Sequence, residues 1–252
     1  MSGFQPSLAS ASFSSLTSTT SSSSSGTPTP ANPLQTFDSV FSSAASASLE
    51  SAHDVSRSAR SEVEGNKATA GYGEFRADTL MSIIELIKEK RYGLSASASP
   101  CTDTVIDLGS GSGRGLFAAC LAHPFKTATG LEYMPALHAS ALANLALFTG
   151  HSSPPPAPTN FIFSLSDITK LPSWRLTPSP TLLLCHATLF DNDLFACVQL
   201  VAEECDPGTL FVVVSKELRT GYRTGIETLH SERMEMTWGT GTVYIQRRVL
   251  PD

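Results

Sequence analysis

Apolar positions along the chain follow two rhythms. In "EFRADTLMSIIELIKEKR", Leu80, Ile83, Ile84 and Ile87 fall at i, i+3, i+4 and i+7, the spacing of one helix face. Asp78 near the start and Lys88 and Lys90 near the end suit the helix dipole. Beyond this helix, short apolar runs alternate with helical stretches. "TVIDLG", "TATGLE", "FIFSLSD", "TLLLCHA" and "TLFVVVSKE" read as strands. "GRGLFAACLAH", "MPALHASALANLALF" and "DNDLFACVQLVAEE" read as helices between them. Strands written as continuous apolar runs and separated by helices predict a parallel sheet covered on both faces. "MEMTWGTGTVYIQRR" closes the chain as an antiparallel hairpin, its turn carried by Gly239 and Gly241. The expected fold is therefore α/β: a doubly wound, mostly parallel seven-stranded sheet with a C-terminal antiparallel hairpin.

Composition confines this fold to part of the chain. Residues 1–70 are dominated by Ser, Thr and Ala, with almost no larger aliphatic side chain. Such a segment buries too little apolar surface to offset its chain entropy and is expected to be disordered. A weak helical texture near residues 38–66 suggests partial order there. The folded domain is expected to span residues 71–252. The net charge of -6 and the lack of a Lys/Arg cluster argue against intrinsic nucleic-acid binding. Five cysteines without a CxxC pair predict neither a metal site nor a disulfide framework, but reduced intracellular thiols. No apolar run approaches membrane-spanning length, so no membrane partner is expected. The Ser-rich start resembles an organelle transit peptide in its lack of acid, yet it carries no Lys or Arg before Arg57.

Candidate chemistry lies where strands end. In open parallel sheets, ligands sit at the carboxyl ends of strands, where the strand order reverses. The first strand runs into "VIDLGSGSGRG", in which Gly109, Ser110, Gly111 and Gly113 let the backbone turn tightly and approach a ligand. This is not the dinucleotide pattern GxGxxG, because Arg114 stands where the third glycine would fall. Asp107 is a poor neighbour for a pyrophosphate and a good one for an ammonium group, which S-adenosylmethionine carries. Glu132 ends the second strand and can accept both hydroxyls of a ribose. Asp167 and Ile168 follow the third strand, an acid for an adenine amino group and an aliphatic cover for its ring.

These residues, together with "GYGEFRADTL" before the first strand and the Trp-bearing hairpin at the end, resemble the disruptor-of-telomeric-silencing (Dot-one-like) methyltransferases. That family consists of histone lysine methyltransferases on the Rossmann-like, seven-stranded S-adenosylmethionine fold. The resemblance covers about residues 71–248. It implies S-adenosylmethionine as cofactor, a protein substrate such as histone or nucleosome, a nuclear location and a monomer. Tyr72, Gly73, Glu74 and Phe75 would border the methionine end of the cofactor. Residues 105–114 would form the glycine loop, and Tyr244 would help wall a lysine channel. The largest departure is at His186–Phe190, "HATLF", where the family has two asparagines followed by Phe-Ala-Phe. Three roles are open to His186: a neutral substitute for asparagine, a proton acceptor for a substrate other than lysine, or a packed histidine. No basic tract is present for nucleosomal DNA. The alternatives are a same-fold enzyme acting on a non-histone protein or small molecule, in the cytoplasm or an organelle, and a silent cofactor-binding module.

Overall fold

The apolar runs become the inner strands of one sheet. The computed structural model describes residues 32–41, 54, 73–95, 101–151, 159–170, 176 and 178–250. Strands β1 (Thr104–Leu108), β2 (Thr127–Glu132), β3 (Asn160–Leu165), β4 (Leu182–His186) and β5 (Leu210–Val214) are mutually parallel. β6 (Ile226–Met236) and β7 (Gly239–Arg248) form an antiparallel pair, with β7 antiparallel to β5. The order is β3-β2-β1-β4-β5-β7-β6, so the expected mostly parallel seven-stranded sheet is present, with its hairpin at one edge. The sheet reverses its direction of growth between β1 and β4, which makes their carboxyl ends the place for a ligand.

Burial follows position in that order. Every residue of β4 and β5 is buried, as central strands with both faces covered require. Helices α2 (Ala77–Glu89), α3 (Arg114–Ala122), α4 (Pro135–Thr149) and α5 (Asn192–Glu204) supply the cover. Leu80, Ile83, Ile84 and Ile87 of α2 share one apolar cluster with Leu184, Val212 and Val214. Val198 and Val201 of α5 share another with Leu183, Cys185 and Val213. Neighbours along a strand point to opposite faces, so the two clusters lie on the two sides of the sheet.

Two boundaries differ from expectation. Residues 33–41 form a helix, α1, which overlaps the start of the stretch near 38–66 expected to be partly ordered and begins upstream of it, in residues expected to be disordered. Phe37, Val40 and Phe41 are 4%, 8% and 0% exposed and belong to the main core. Their i, i+3, i+4 spacing makes one apolar stripe, enough to dock a short helix even against a Ser-rich background. The folded unit therefore begins upstream of residue 71, and its partner is α3: Phe41 stacks near Phe117 at 5.8 Å. The rest of residues 1–70, apart from Asp54, and Tyr72 lie outside the described residues. The hairpin is also longer than "MEMTWGTGTVYIQRR". β6 begins at Ile226 and turns at Thr237-Trp238 rather than at the two glycines. Much of β6 is exposed or half-exposed, and an edge strand of that kind carries no apolar run to betray it.

Candidate active site

Three acidic side chains converge at the carboxyl ends of β1 and β2. β1 delivers Asp107, 5% exposed, on the same face as Val105 and two residues before the glycine loop. Gly109, Gly111 and Gly113 all have positive φ (82°, 55° and 78°), the region in which glycine is favoured. The loop feeds directly into α3, whose N-cap is Gly113. Glu132 spans the loop from β2: its Oε2 accepts from the Gly111 N–H and its Oε1 from the Met134 N–H, both at 2.8 Å. Glu74 comes from the segment before α2 and accepts from Ser112 Oγ at 2.5 Å, with Arg114 Nε 3.6 Å from its other oxygen.

These acids perturb one another. Burial, reinforced by the charges of Glu132 and Glu74, pushes the Asp107 carboxyl up to about 8. Burial also raises Glu132 and Glu74. For Glu132 it is opposed by backbone hydrogen bonds from Met134 and Gly111, and for Glu74 by Arg114 and Ser112. Asp107 is left without such relief. Its carboxylate faces Gly115, where a Cβ would lie 3.4 Å from Oδ2. A buried acid with no cationic partner among the described residues, below a glycine loop, suits a positive group.

Close packing explains the glycines on either side of the loop. A Cβ at Gly130 of β2 would lie 2.6 Å from Ser110 Oγ and 2.7 Å from the Phe163 ring. A Cβ at Gly113 would meet the same ring at 2.8 Å. Ser110 Oγ is thus packed against β2 with no hydrogen-bond partner, rather than presented at the loop surface.

Of the five positions of "HATLF", His186, Thr188 and Phe190 are committed locally, whereas Leu189 is exposed. His186 ends β4 and is 9% exposed, and burial lowers its imidazole to about 4. It is therefore neutral at physiological pH. Its Nε2 accepts from the Trp238 Nε1–H at 3.1 Å, which puts the ring proton on Nδ1. The ring also meets Phe75 edge-on at 5.4 Å. Thr188 Oγ1 bonds Ser215 Oγ at 2.8 Å, and Phe190 covers Gly109. With its lone pair already given to Trp238, His186 is a positioning residue rather than a general base. It ties the hairpin tip to the end of β4 over Gly73, where a Cβ would stand 2.9 Å from His186 Cε1 and 3.1 Å from Trp238. Thr237 extends the tie, its Oγ1 donating to the Glu74 carbonyl at 3.1 Å. Trp238→Phe, which strands a buried imidazole nitrogen, is expected to cost about 1–3 kcal/mol in chemical denaturation. An unchanged midpoint would mean the bond is dispensable.

The sequence-derived residues are only partly brought together. Gly73, Glu74, Phe75, Asp107, Gly109, Gly111, Gly113, Glu132 and His186 surround the ends of β1 and β4. Arg114 does not line the loop: its guanidinium lies 5.3 Å from the ring centroids of both Phe37 and Phe41, drawn to α1 and to Glu74. Tyr244 is not brought to His186 either. It pairs with Val213 on β5, whereas His186 pairs with Val214, so the two side chains leave opposite faces of the sheet. Asp167 spends Oδ1 on the Thr169 N–H and hydroxyl, while Oδ2 pairs with exposed Lys170 at 3.2 Å. Burial raises this carboxyl, but those bonds outweigh it and hold it below its ordinary value. Ile168 is 6% exposed, in the cluster of Leu108 and Leu131. Ser112, expected only as part of the 105–114 loop, holds Glu74, and one contributor had no place in the expectations: Asn144, which donates to the Ser112 carbonyl at 3.0 Å from inside α4. The signal for Asn144 was a lone amide in the apolar helix "PALHASALANLALF".

No protein-family model matches the chain, and no curated protein matches it by sequence. Solved structures match it in fold. One is described as a candidate RNA methyltransferase from Pyrococcus horikoshii, with 15% identity, a TM-score of 0.51, and coverage of 81% of this chain and 96% of that one. Another is the magnesium protoporphyrin IX methyltransferase of Synechocystis PCC 6803 with bound S-adenosylmethionine. It has 10% identity, a TM-score of 0.50, and coverage of 86% and 98%. At these identities the likeness is one of fold alone: those methyltransferases share this chain's α/β architecture.

Proposed function

We propose that the chain is an S-adenosylmethionine-dependent methyltransferase acting on lysine side chains of a protein. The observation that carries this reading is Asp107, a buried carboxyl at the switch point of the sheet, with Glu132 and Glu74 beside it and no cation raising or lowering it among the described residues. The residues present fit the cofactor. Asp107 would hold its ammonium group, and the remaining lone pairs of Glu132, whose oxygens already accept from Gly111 and Met134, would take its ribose hydroxyls. Ile168 would cover the adenine, with Asp167 Oδ2, paired only with an exposed lysine, left for the amino group. S-adenosylmethionine, when bound, supplies an electrophilic methyl group on a sulfonium. The protein's part is to orient both reactants, exclude water and accept no covalent bond itself. A neutral His186, held by Trp238, keeps positive charge off the path of an incoming ammonium.

A cleft of about 650 Å³ between α1, α2 and β6 supports a protein substrate. Its floor includes Met81 and Met234, and Asp78, Glu85, Glu89 and Glu232 stand along it. Asp78 and Glu85 are paired with Arg76 and Lys88, so Glu89 and Glu232 beside the methionines are the acids that suit a segment carrying Lys or Arg. The resemblance to the Dot-one-like family adds histone as the substrate and the nucleus as the location. The acidic balance and the lost asparagines favour a second reading, a non-histone protein or small molecule, with the cytoplasm or an organelle as its location. Labelled S-adenosylmethionine incubated with nucleosomes, free histones or whole extract decides between them. Label on histone lysine is expected, label confined to other species supports the second reading, and calorimetry that detects no cofactor binding overturns both.

A further inference from the structure

Away from the glycine loop, at the other end of β1, three donor side chains of different chemistry meet. Asp103 immediately precedes β1, Cys101 lies two residues earlier, and His123 caps the end of α3. One donor atom from each lies within 4.8 Å of the others, the one such trio among the described residues. His123 Nε2 is 2.8 Å from Asp103 Oδ2 and 3.6 Å from Cys101 Sγ. A single imidazole nitrogen thus faces both a carboxylate and a sulfur, though one N–H can satisfy only one of them.

The spacing suits a small tetrahedral cation. Zinc bonds of about 2.0–2.3 Å to N, O and S place neighbouring donors roughly 3.3–3.5 Å apart. The sulfur–nitrogen distance is already close to that, and the nitrogen–oxygen pair has to open by about half an ångström. The sulfur and the carboxylate oxygen, within 4.8 Å, have to close by up to about 1.3 Å. The surroundings resemble an outer coordination shell. Ser95 donates its N–H and hydroxyl to the two oxygens of Asp103, at 2.8 and 3.0 Å. Phe125 packs edge-on against the imidazole at 4.6 Å. The frame beneath is fixed by backbone bonds, from Lys126 N–H to the Asp103 carbonyl and from His123 N–H to the Ala119 carbonyl. His123 and Asp103 are 1% and 5% exposed, while Cys101 is partly exposed and leaves an entry path.

We propose that Cys101, Asp103 and His123 bind a zinc ion, with water in the fourth position. On binding, the Cys101 thiol gives its proton to solvent, and thiolate, carboxylate and neutral imidazole each supply an electron pair. β1 separates this site from the glycine loop by five residues, about 16 Å of strand, so the ion pins β1 to α3 and takes no part in methyl transfer. Expectations from cysteine spacing pointed away from any metal, because the donors lie 22 residues apart and only the fold joins them.

The test uses the full chain, stripped with chelator and dialysed. One equivalent of zinc should slow alkylation of Cys101 roughly tenfold or more, because a coordinated thiolate is a poor nucleophile. Peptide mapping should show no change at half-exposed Cys197. Cobalt in place of zinc should give a thiolate charge-transfer band at one equivalent, absent in Cys101→Ser. Alkylation of Cys101 at the same rate with and without zinc, or a cobalt band that survives Cys101→Ser, overturns the proposal. The alkylation arm needs no variant, so a misfolded mutant leaves it intact.

Discussion

Asp107→Asn is expected to weaken S-adenosylmethionine binding sharply while raising the melting temperature of the ligand-free protein. The two effects share a cause. The native protein holds the Asp107 carboxyl up at about 8, against an ordinary value of 3.8. Between those limits the unfolded chain releases a proton that the native state keeps, so stability falls as pH rises. Its contribution is complete below about pH 4 and is gone once pH passes about 8. Asparagine keeps the shape and removes the titration, flattening that part of the stability profile. A gain of even ~1 kcal/mol at pH 7 would appear as about 2–4 °C in Tm. The same change removes the carboxyl placed to hold the ligand's ammonium, beside Glu132 and Glu74. Losing one member of a buried charge pair costs about 2–5 kcal/mol, a weakening of roughly thirtyfold or more in calorimetry. Wild-type affinity in the variant would remove Asp107 from the site. An unchanged pH slope would mean that its burial carries no strain.

The second large effect lies far from the chemistry. Phe41→Ala is expected to destabilise the protein by about 3–5 kcal/mol, the usual cost of emptying a fully buried aromatic position. Phe41 is 0% exposed and sits against Phe37 and Phe117, with Phe148 and Phe161 around Phe117. Its ring also seats Arg114, which reaches Glu74. Thermal unfolding followed by circular dichroism measures the loss. A change under about 1 kcal/mol would mean that α1 is not part of the cooperative unit. Binding should weaken as well, because Glu74 then loses the fixed guanidinium that offsets its burial.

The sheet was readable because parallel strands covered on both faces must be apolar throughout, and "TLLLCHA" and "TLFVVVSKE" are. α1 was legible only as a weak helical texture near residues 38–66, because three apolar residues at helical spacing are diluted by serine when composition is averaged. β6 was not, because an edge strand exposes much of its length. In the site, Asp107 and Glu132 were legible since a strand's last residue must lie at its carboxyl end. Arg114 was not, since a long side chain at a helix start can turn to either neighbour, and here two phenylalanines draw it away. Tyr244 failed on parity: one residue of register moves a side chain to the other face of a sheet. Trp238 stood in plain view, but only folding shows that it reaches His186.

α1 has a further consequence on the timescale of synthesis. Its apolar stripe leaves the ribosome well before its partners, for Phe117 follows Phe41 by 76 residues and Phe148 by 107. At about 5–20 residues per second the stripe waits roughly 5–20 s with its face uncovered. Until α3 and α4 arrive, this short helix is a ready target for chaperones on the nascent chain, and the folded domain can close only after its first element has been held in reserve.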